Sequence, residues 1–381
     1  MENQTQALKP IKFSKKIGGD FNSTLKKRVR AYFKDNNISK HANTNMKIKT
    51  VFMTLLYFTP YVLMVTGVVT NIWLVTLCWA IMGFGVAGIG LSVMHDANHG
   101  AYSKNERVNY FVGRIVNLVG GYAPTWKIQH NVLHHSYTNV HGYDEDVSPA
   151  LSILRFSPRD KYIPIHRFQF IYAWFFYSLM TIMWITTKDF QQLFRYKKMG
   201  LTKTENMNFG KLFMELLVTK VLYYVYVMAI PLIFTSILWW QLALLVLLMH
   251  LIAGFTLAAI FQPAHVIPET EFPFPDKDLT IDNNWAIHQL ETTSNFAPKS
   301  TILYWLIGGL NYQVEHHLFP NICHVHYKKI SKIVKATAEE FNLPYHSEPT
   351  FFSALRSHGK MLRKLGVAPK SEKSGTIPAT A

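Results

Sequence analysis

Residues 72–99 read IWLVTLCWAIMGFGVAGIGLSVMHDANH. From Ile72 to Met94 no side chain carries a charge, and the run is long enough to cross a hydrocarbon core, which takes about 20 apolar residues. It ends on His95 and His99, four residues apart. On a helix that spacing puts both imidazoles on one face, one turn apart, where they can grip one metal ion. A membrane span that delivers a metal-binding pair to its own edge is the reading from which the rest of the chain is organised.

Three further runs match this one. Val51 to Thr70 precedes it across a short uncharged turn at Asn71, and Leu212–Phe234 and Leu238–Phe261 form a second hairpin turning at Thr235–Ser236. Glu215 and Lys220 lie in the first turns of the third run, where they can reach the interface. A fifth run, Phe168–Thr187, is rich in Phe, Tyr and Trp. If it crossed, His265 and the C-terminal third would lie opposite His95, so it is read as an interfacial or partly embedded helix. The predicted architecture is therefore an all-α integral membrane protein with four transmembrane helices in two hairpins and a helical cap carrying the histidines. Residues 1–50 form a basic N-terminal segment, 51–366 the membrane domain, and 367–381 a small polar tail expected to be disordered.

Composition agrees. Hydrophobic residues make up 49% of the chain and charged residues 16%, against about 25% in soluble proteins. The formal charge of +16 suggests nucleic acid at first sight, but its distribution points to membrane topology. Residues 9–49 carry twelve Lys or Arg against Asp20 and Asp35, and they stop where the first span begins. Positive-inside bias places both termini and the histidines in the cytoplasm and both hairpin turns outside. No nucleic-acid partner is expected. Cys78 and Cys323 are too far apart in sequence and setting for a CxxC site or a disulfide framework. Gly83-Phe-Gly85-Val-Ala-Gly88 matches a dinucleotide fingerprint, but it lies inside an apolar span without the strand and the acidic residue that fingerprint needs. Small residues there let helices approach closely or leave room for an acyl chain.

The first histidine pair has two counterparts, His130-Asn-Val-Leu-His134-His135 and Gln313-Val-Glu-His316-His317. Any one histidine is better read as a hydrogen-bonded packing residue. Three i,i+4 clusters at the edge of spans are not. The seven box histidines, with His265 at the end of the fourth span, make eight. That is the number two metal ions need, and more than hydrolytic zinc, which takes about three protein ligands, requires. Imidazole alone does not choose among Zn, Cu, Fe and Ni.

These three boxes resemble those of the membrane fatty acid desaturase family. Asn311-Tyr-Gln-Val-Glu-His-His-Leu-Phe-Pro320, with Gln first, is similar to the front-end and linoleoyl-CoA desaturase-like branch. His134-His135-Ser-Tyr-Thr-Asn-Val140, followed by Asp144 and Asp146, and the stretch His326–Gly366 are similar to it as well. The likeness covers about residues 80–366. It implies two non-haem iron ions held by His95, His99, His130, His134, His135, His316, His317 and His265. Gln313 stands where relatives with an all-histidine third box place a ligand, and it is a possible ligand through oxygen or through water. Asp96 and Glu315, inside the boxes, are the first candidates for accepting the free N–H of a ligand imidazole, with Asp144 and Asp146 next. His288 is a weaker ligand candidate, and His141, His250, His324 and His326 are read as non-ligands.

The resemblance implies an O2-dependent desaturase acting on an acyl chain carried by CoA or by a lipid. The His-Pro-Gly-Gly signature of a fused cytochrome b5 is absent from the sequence, so electrons are expected from a separate ferredoxin or cytochrome b5 with its reductase. The expected location is the bacterial cytoplasmic membrane, or the endoplasmic reticulum in a eukaryote. The rivals are a hydroxylase or ketolase on the same scaffold, a polytopic metal transporter and a non-catalytic lipid-binding protein. A transporter places its site near mid-membrane on broken helices, whereas these histidines lie just outside the spans.

Overall fold

The computed structural model describes residues 8–14, 19–148, 152–205 and 208–368. The predicted tail therefore lies, from residue 369 onward, outside the described residues. After an amphipathic helix α1 (Phe21–Asp35) come the first two long helices, α2 (Thr44–Val65) and α3 (Ile72–Asn98). A bent pair follows, α4 (Pro164–Ser178) and α5 (Met180–Lys198), and then the second long pair, α6 (Phe209–Phe234) and α7 (Trp239–His265). The cap is built from α8 (Trp285–Thr292), α9 (Gln313–Leu318), α10 (Tyr327–Glu340) and α11 (Phe351–Leu365). Two short parallel ladders tie its ends together, Lys12–Phe13 with Thr280–Ile281 and Ser294–Phe296 with His346–Glu348.

Among the described residues, four helices, α2, α3, α6 and α7, are long and apolar enough to cross a membrane. Asparagine starts three of them: Asn43, Asn71 and Asn208 each accept backbone N–H groups that a helix start leaves unpaired. The glycines of the apparent nucleotide fingerprint are helix contacts. A Cβ on Gly83 would meet the Met249 carbonyl oxygen at 2.6 Å, one on Gly85 the Tyr57 backbone at 2.9 Å, and one on Gly88 the Met53 sulfur at 2.4 Å. Further along, Gly90 faces Leu257. Contacts that climb together, 83 to 249 and 90 to 257, mean that α3 and α7 run parallel. Both therefore end on the same side, with His95–His99 and His265.

That parallel pairing decides the fifth run. An odd number of crossings between α3 and α6 would make α7 antiparallel to α3, so α4 and α5 do not span. They form an arch, bent by 50° at Leu179. One foot is on the histidine side, where Gln169 donates to the Leu362 carbonyl of α11. The other returns there, where Tyr196 donates to Glu145 and Gln192 to Gln129 beside the second box. The apex leans on the middle of α7: the Thr181 hydroxyl donates to the His250 carbonyl at 2.8 Å, and a Cβ on Gly254 would meet the Ser178 carbonyl oxygen at 2.4 Å.

Lys220 is not where the sequence suggests. Rather than reaching the interface it turns inward, donating to Asp189 in the middle of the arch's second arm (2.6 Å) and to the Gly120 and Trp184 carbonyls. Thr125 and Trp184 also donate to Asp189. The carboxylate has drawn the lysine inward, because a buried anion needs a cation more than an exposed cation needs water. Glu215 likewise finds a partner, Arg114, at 3.1 Å. Breaking a buried pair by removing one member costs about 3–5 kcal/mol. Lys220→Met should therefore lower the thermal unfolding midpoint in detergent markedly, and the double variant Lys220→Met/Asp189→Leu should recover much of the loss. Equal midpoints for wild type and Lys220→Met would show that the pair does not hold the arch.

Candidate metal centre

All eight predicted histidines converge where α3 and α7 end. The ligand atoms of His95, His99, His130 and His316 lie within 4.8 Å of one another, as do those of His134, His265 and His317. His135 joins His316 and His317 in an overlapping group. Two sites, joined through His135, His316 and His317, are thus built from four segments of chain. The third box is brought to the first by the turn at Gly308, whose φ of +65° suits glycine and whose missing Cβ lets it lie against the Leu91 carbonyl and Ser92, just before His95.

The geometry calls for a cation. The Nε2 atoms of His95 and His130 are 3.1 Å apart, those of His135 and His316 2.9 Å, and those of His135 and His130 3.3 Å. The Nε2 atoms of His99, His134, His265 and His317 are buried with no protein partner. Lone pairs gathered this closely and shielded from water are costly unless a metal ion takes them up. Burial, reinforced by neighbouring rings, holds His130, His135, His316 and His317 well below the ordinary imidazole pKa. They stay neutral, which is the form that ligates. At His134 burial also opposes the charge, but the Asp144 carboxylate outweighs it and the pKa rises.

In five of the rings the opposite nitrogen is occupied, while Nδ1 of His135 is buried without a partner. Nδ1 of His130 faces Asp146 at 2.6 Å and Nδ1 of His134 faces Asp144 at 2.9 Å. His317 faces the Gln289 side-chain oxygen at 2.8 Å, His316 the Tyr327 hydroxyl at 3.2 Å, and His265 the Thr292 carbonyl at 3.3 Å. Such partners fix ring orientation and leave Nε2 for the metal. Asp144 is itself held by the backbone N–H groups of Asn139, Asp146 and Val147, and Gln129 donates to Asp146.

Two expectations need correction. Asp96 and Glu315, placed first as imidazole acceptors because they sit inside the boxes, take other partners. Asp96 points away from the adjacent ring and accepts from the backbone and Nδ1 of His324 at 3.1 and 2.8 Å, while Lys49 donates to the other nitrogen of that ring at 2.6 Å. Glu315 accepts from Asn295 and Tyr345, and burial raises its carboxyl to about 7. On a helix, neighbours in sequence point about 100° apart, so a carboxylate next to a ligand cannot turn back on it. The carboxylates that do the job come from the loop after the second box. The i,i+4 reading holds only in part for His130 and His134, which meet beside Asp146 but otherwise divide between the two main histidine groups. Residues Ile128–His134 wind as a π-type turn, so His130 pairs with His135, five residues on.

Gln313 is buried with both amide atoms unpartnered. His288 lies outside every histidine group, and His250 and His358 are held by Tyr223 and Tyr177. Gln289 and Tyr327 had no local signal, because their link to a ligand appears only once the cap has folded. The walls facing the spans are apolar: Trp126 stacks on His130 at 4.6 Å, and Phe261 lies 5.1 Å from His134 and 5.0 Å from His265.

A membrane-embedded helical body with paired histidine groups at its edge is the architecture of a lipid-modifying metalloenzyme. The fatty acid desaturase family matches residues 70–349, and the chain belongs to that family. It is 34% identical over 372 residues to an sn-1 linoleoyl-lipid 6-desaturase of Arthrospira platensis, covering 97% of this chain and 98% of that one. A protein of the same name from Synechocystis is 34% identical over 361 residues, covering 94% and 98%. An acyl-lipid (8-3)-desaturase of Physcomitrium patens is 36% identical over 355 residues, covering 91% and 72%. The chain is a membrane-bound fatty acyl desaturase, an oxidoreductase with a metal centre.

Removing a ligand should empty the centre. His134→Ala and His317→Ala are expected to abolish turnover and lower bound metal, read by mass spectrometry of the purified protein. Asp144→Asn should weaken metal binding by about 10–100-fold through His134. His250→Ala and His358→Ala should keep metal, and full metal and activity in both ligand variants would refute the centre.

Proposed function

We propose that the centre holds two non-haem iron ions and that the enzyme inserts a double bond into an acyl chain esterified to a membrane lipid, on the carboxyl side of an existing double bond. One group of ligands is His95, His99, His130 and His316, and the other is His134, His265 and His317, with His135 reaching between them. The observation that carries the reading is the set of buried imidazole nitrogens gathered in two groups that a third, through His135, joins. When bound, the iron pair supplies the activation of O2 that breaking two unactivated C–H bonds demands, chemistry no side-chain acid or base can perform. Each turnover takes in one O2, two electrons and two protons, and it releases an alkene and two waters.

The chain's own residues do the rest. Asp144, Asp146 and Gln289 keep their imidazoles aimed and in one tautomer. Trp126 and Phe261 exclude water on the side facing the spans and offer an apolar wall to a lipid tail. Gln313, on the same face of α9 as His317, presents an amide with no protein partner, suited to ligation directly or through water. Support for a lipid-linked substrate comes from the names of the relatives and from a centre at the very ends of α3 and α7, where a bilayer lipid can enter sideways. The basic segment before α2 supports a cytoplasmic centre. A separate electron carrier completes the system.

Expression in a host poor in polyunsaturated lipids, fed linoleate, should give a new double bond on the carboxyl side, located by mass spectrometry, in intact glycerolipid before free acid or CoA ester. A hydroxylated product would instead support the hydroxylase reading. Freshly purified active protein should hold about two irons per chain; zinc without iron in such material would overturn the metal assignment. Gln313→Ala should lower iron content if its oxygen ligates, and should change rate or product at full iron if it acts through water. Cysteines placed at Ser236 and at Ser148, in a chain freed of its own two, should label from opposite sides of the membrane.

A further inference from the structure

The centre must be fed with electrons, and one surface is built to receive their carrier. Helices α1 and α10 pack antiparallel across the outside of the cap. Phe21 meets Phe341 at one end, at 5.7 Å, and Phe33 meets His326 at the other, at 5.1 Å. Phe21, Leu25 and Val29 bury against Ile330, Val334 and Ala338. The outward faces carry Lys26, Lys27, Arg30 and Lys34 from α1, and Lys328, Lys329, Lys332 and Lys335 from α10, all exposed. The acids on these helices sit mainly at the Phe21–Phe341 end. Glu340 is taken by Arg28 at 2.7 Å, and Glu339 lies 3.8 Å from Lys335. Asp35 is the carboxylate nearest the cationic end of α1.

Two observations say what this surface is for. A helix pair lying on a bilayer interleaves its cations with exposed apolar side chains. Neither α1 nor α10 exposes a large hydrophobic residue, whereas α11 exposes Phe352 (76%) and α4 exposes Phe168, Ile171 and Phe175. The second is depth. Exposed Lys328 directly follows buried Tyr327, whose hydroxyl lies 3.2 Å from Nδ1 of His316. A molecule seated on the lysines is one side chain away from a ligand ring.

We propose that the outer face of α1 and α10 docks a small acidic one-electron carrier protein, with Tyr327 and His316 as the contact route inward. The proposal rests on the desaturase reading. Two reduced carriers each give up one electron per turnover. Those two electrons and two protons, with the two hydrogens removed from the acyl chain, reduce one O2 to two waters. Cationic patches speed such encounters by about 10–1,000-fold, in a salt-dependent way.

The test uses the full chain in phosphatidylcholine nanodiscs, with two probes, a plant-type ferredoxin and the soluble haem domain of a cytochrome b5. Lys328→Glu/Lys329→Glu/Lys332→Glu and, on the other helix, Arg30→Glu/Lys34→Glu alter exposed side chains, so at least one should fold normally. Each should weaken carrier binding by about tenfold or more and flatten its dependence on ionic strength. Turnover driven by dithionite should be unchanged. The control Lys197→Glu/Lys198→Glu, on α5, should bind the carrier as wild type does. Unchanged carrier binding in both patch variants would overturn the proposal. So would a loss of binding to phosphatidylglycerol vesicles with carrier affinity intact, which would make the face a lipid surface. Wild-type protein that makes no product with either carrier or dithionite would sink the desaturase reading instead, while the binding arm still decides the docking.

Discussion

Eight imidazoles can share one ligand cluster only if helices far apart in sequence stop at the same depth. The parallel packing of α3 and α7 meets that constraint, and the rest of the molecule follows from it. Parallel neighbours cannot be joined by a tight turn, so the chain between them must leave and return on the same side. The arch of α4 and α5 does this without crossing. Close approach of α3 to α7 in turn needs a position without a side chain at Gly83, its approach to α2 needs the same at Gly85 and Gly88, and Gly254 receives the apex of the arch.

The centre is held from behind as much as from in front. The four rings in the second and third boxes whose Nδ1 is engaged lean on three parts of the chain: Asp144 and Asp146 from the loop, Gln289 from α8 and Tyr327 from α10. Trp285 and Gln289 both donate to the His135 carbonyl, fastening α8 to the second box. The Lys49–His324–Asp96 chain joins the start of α2, the end of α3 and the segment after the third box. Ligands that are tied to several elements cannot shift singly, which fixes the geometry they offer a metal.

Much of this was legible in the sequence because its signals are local. Apolar length marks a span, and a histidine pair four residues apart marks a site. The eight histidines and the four spans follow from such patterns, and the non-crossing arch from the need to bring His265 to the side of His95. What was missed depends on direction and distance. Whether Asp96 faces His95 or His324 is set by the rotation of one helical turn, and no pattern in His95-Asp-Ala-Asn-His99 records it. The π-type winding at Ile128–His134 moves each side chain by a fraction of a turn and so divides His130 and His134 between the two main histidine groups. Lys220 reads as an interfacial lysine until Asp189, thirty-one residues earlier, is folded against it.

The arch also gives the molecule an unequal cross-section. Four helices make up the half away from the histidines, whereas the histidine side carries those four and the arch with its exposed Phe168 and Phe175. The protein is therefore a wedge, displacing more lipid from one leaflet than from the other. A wedge sits at lowest cost where the leaflet it crowds is already spread. A tail that has gained a kink relaxes in the same direction, because it takes up more lateral area than a straight one.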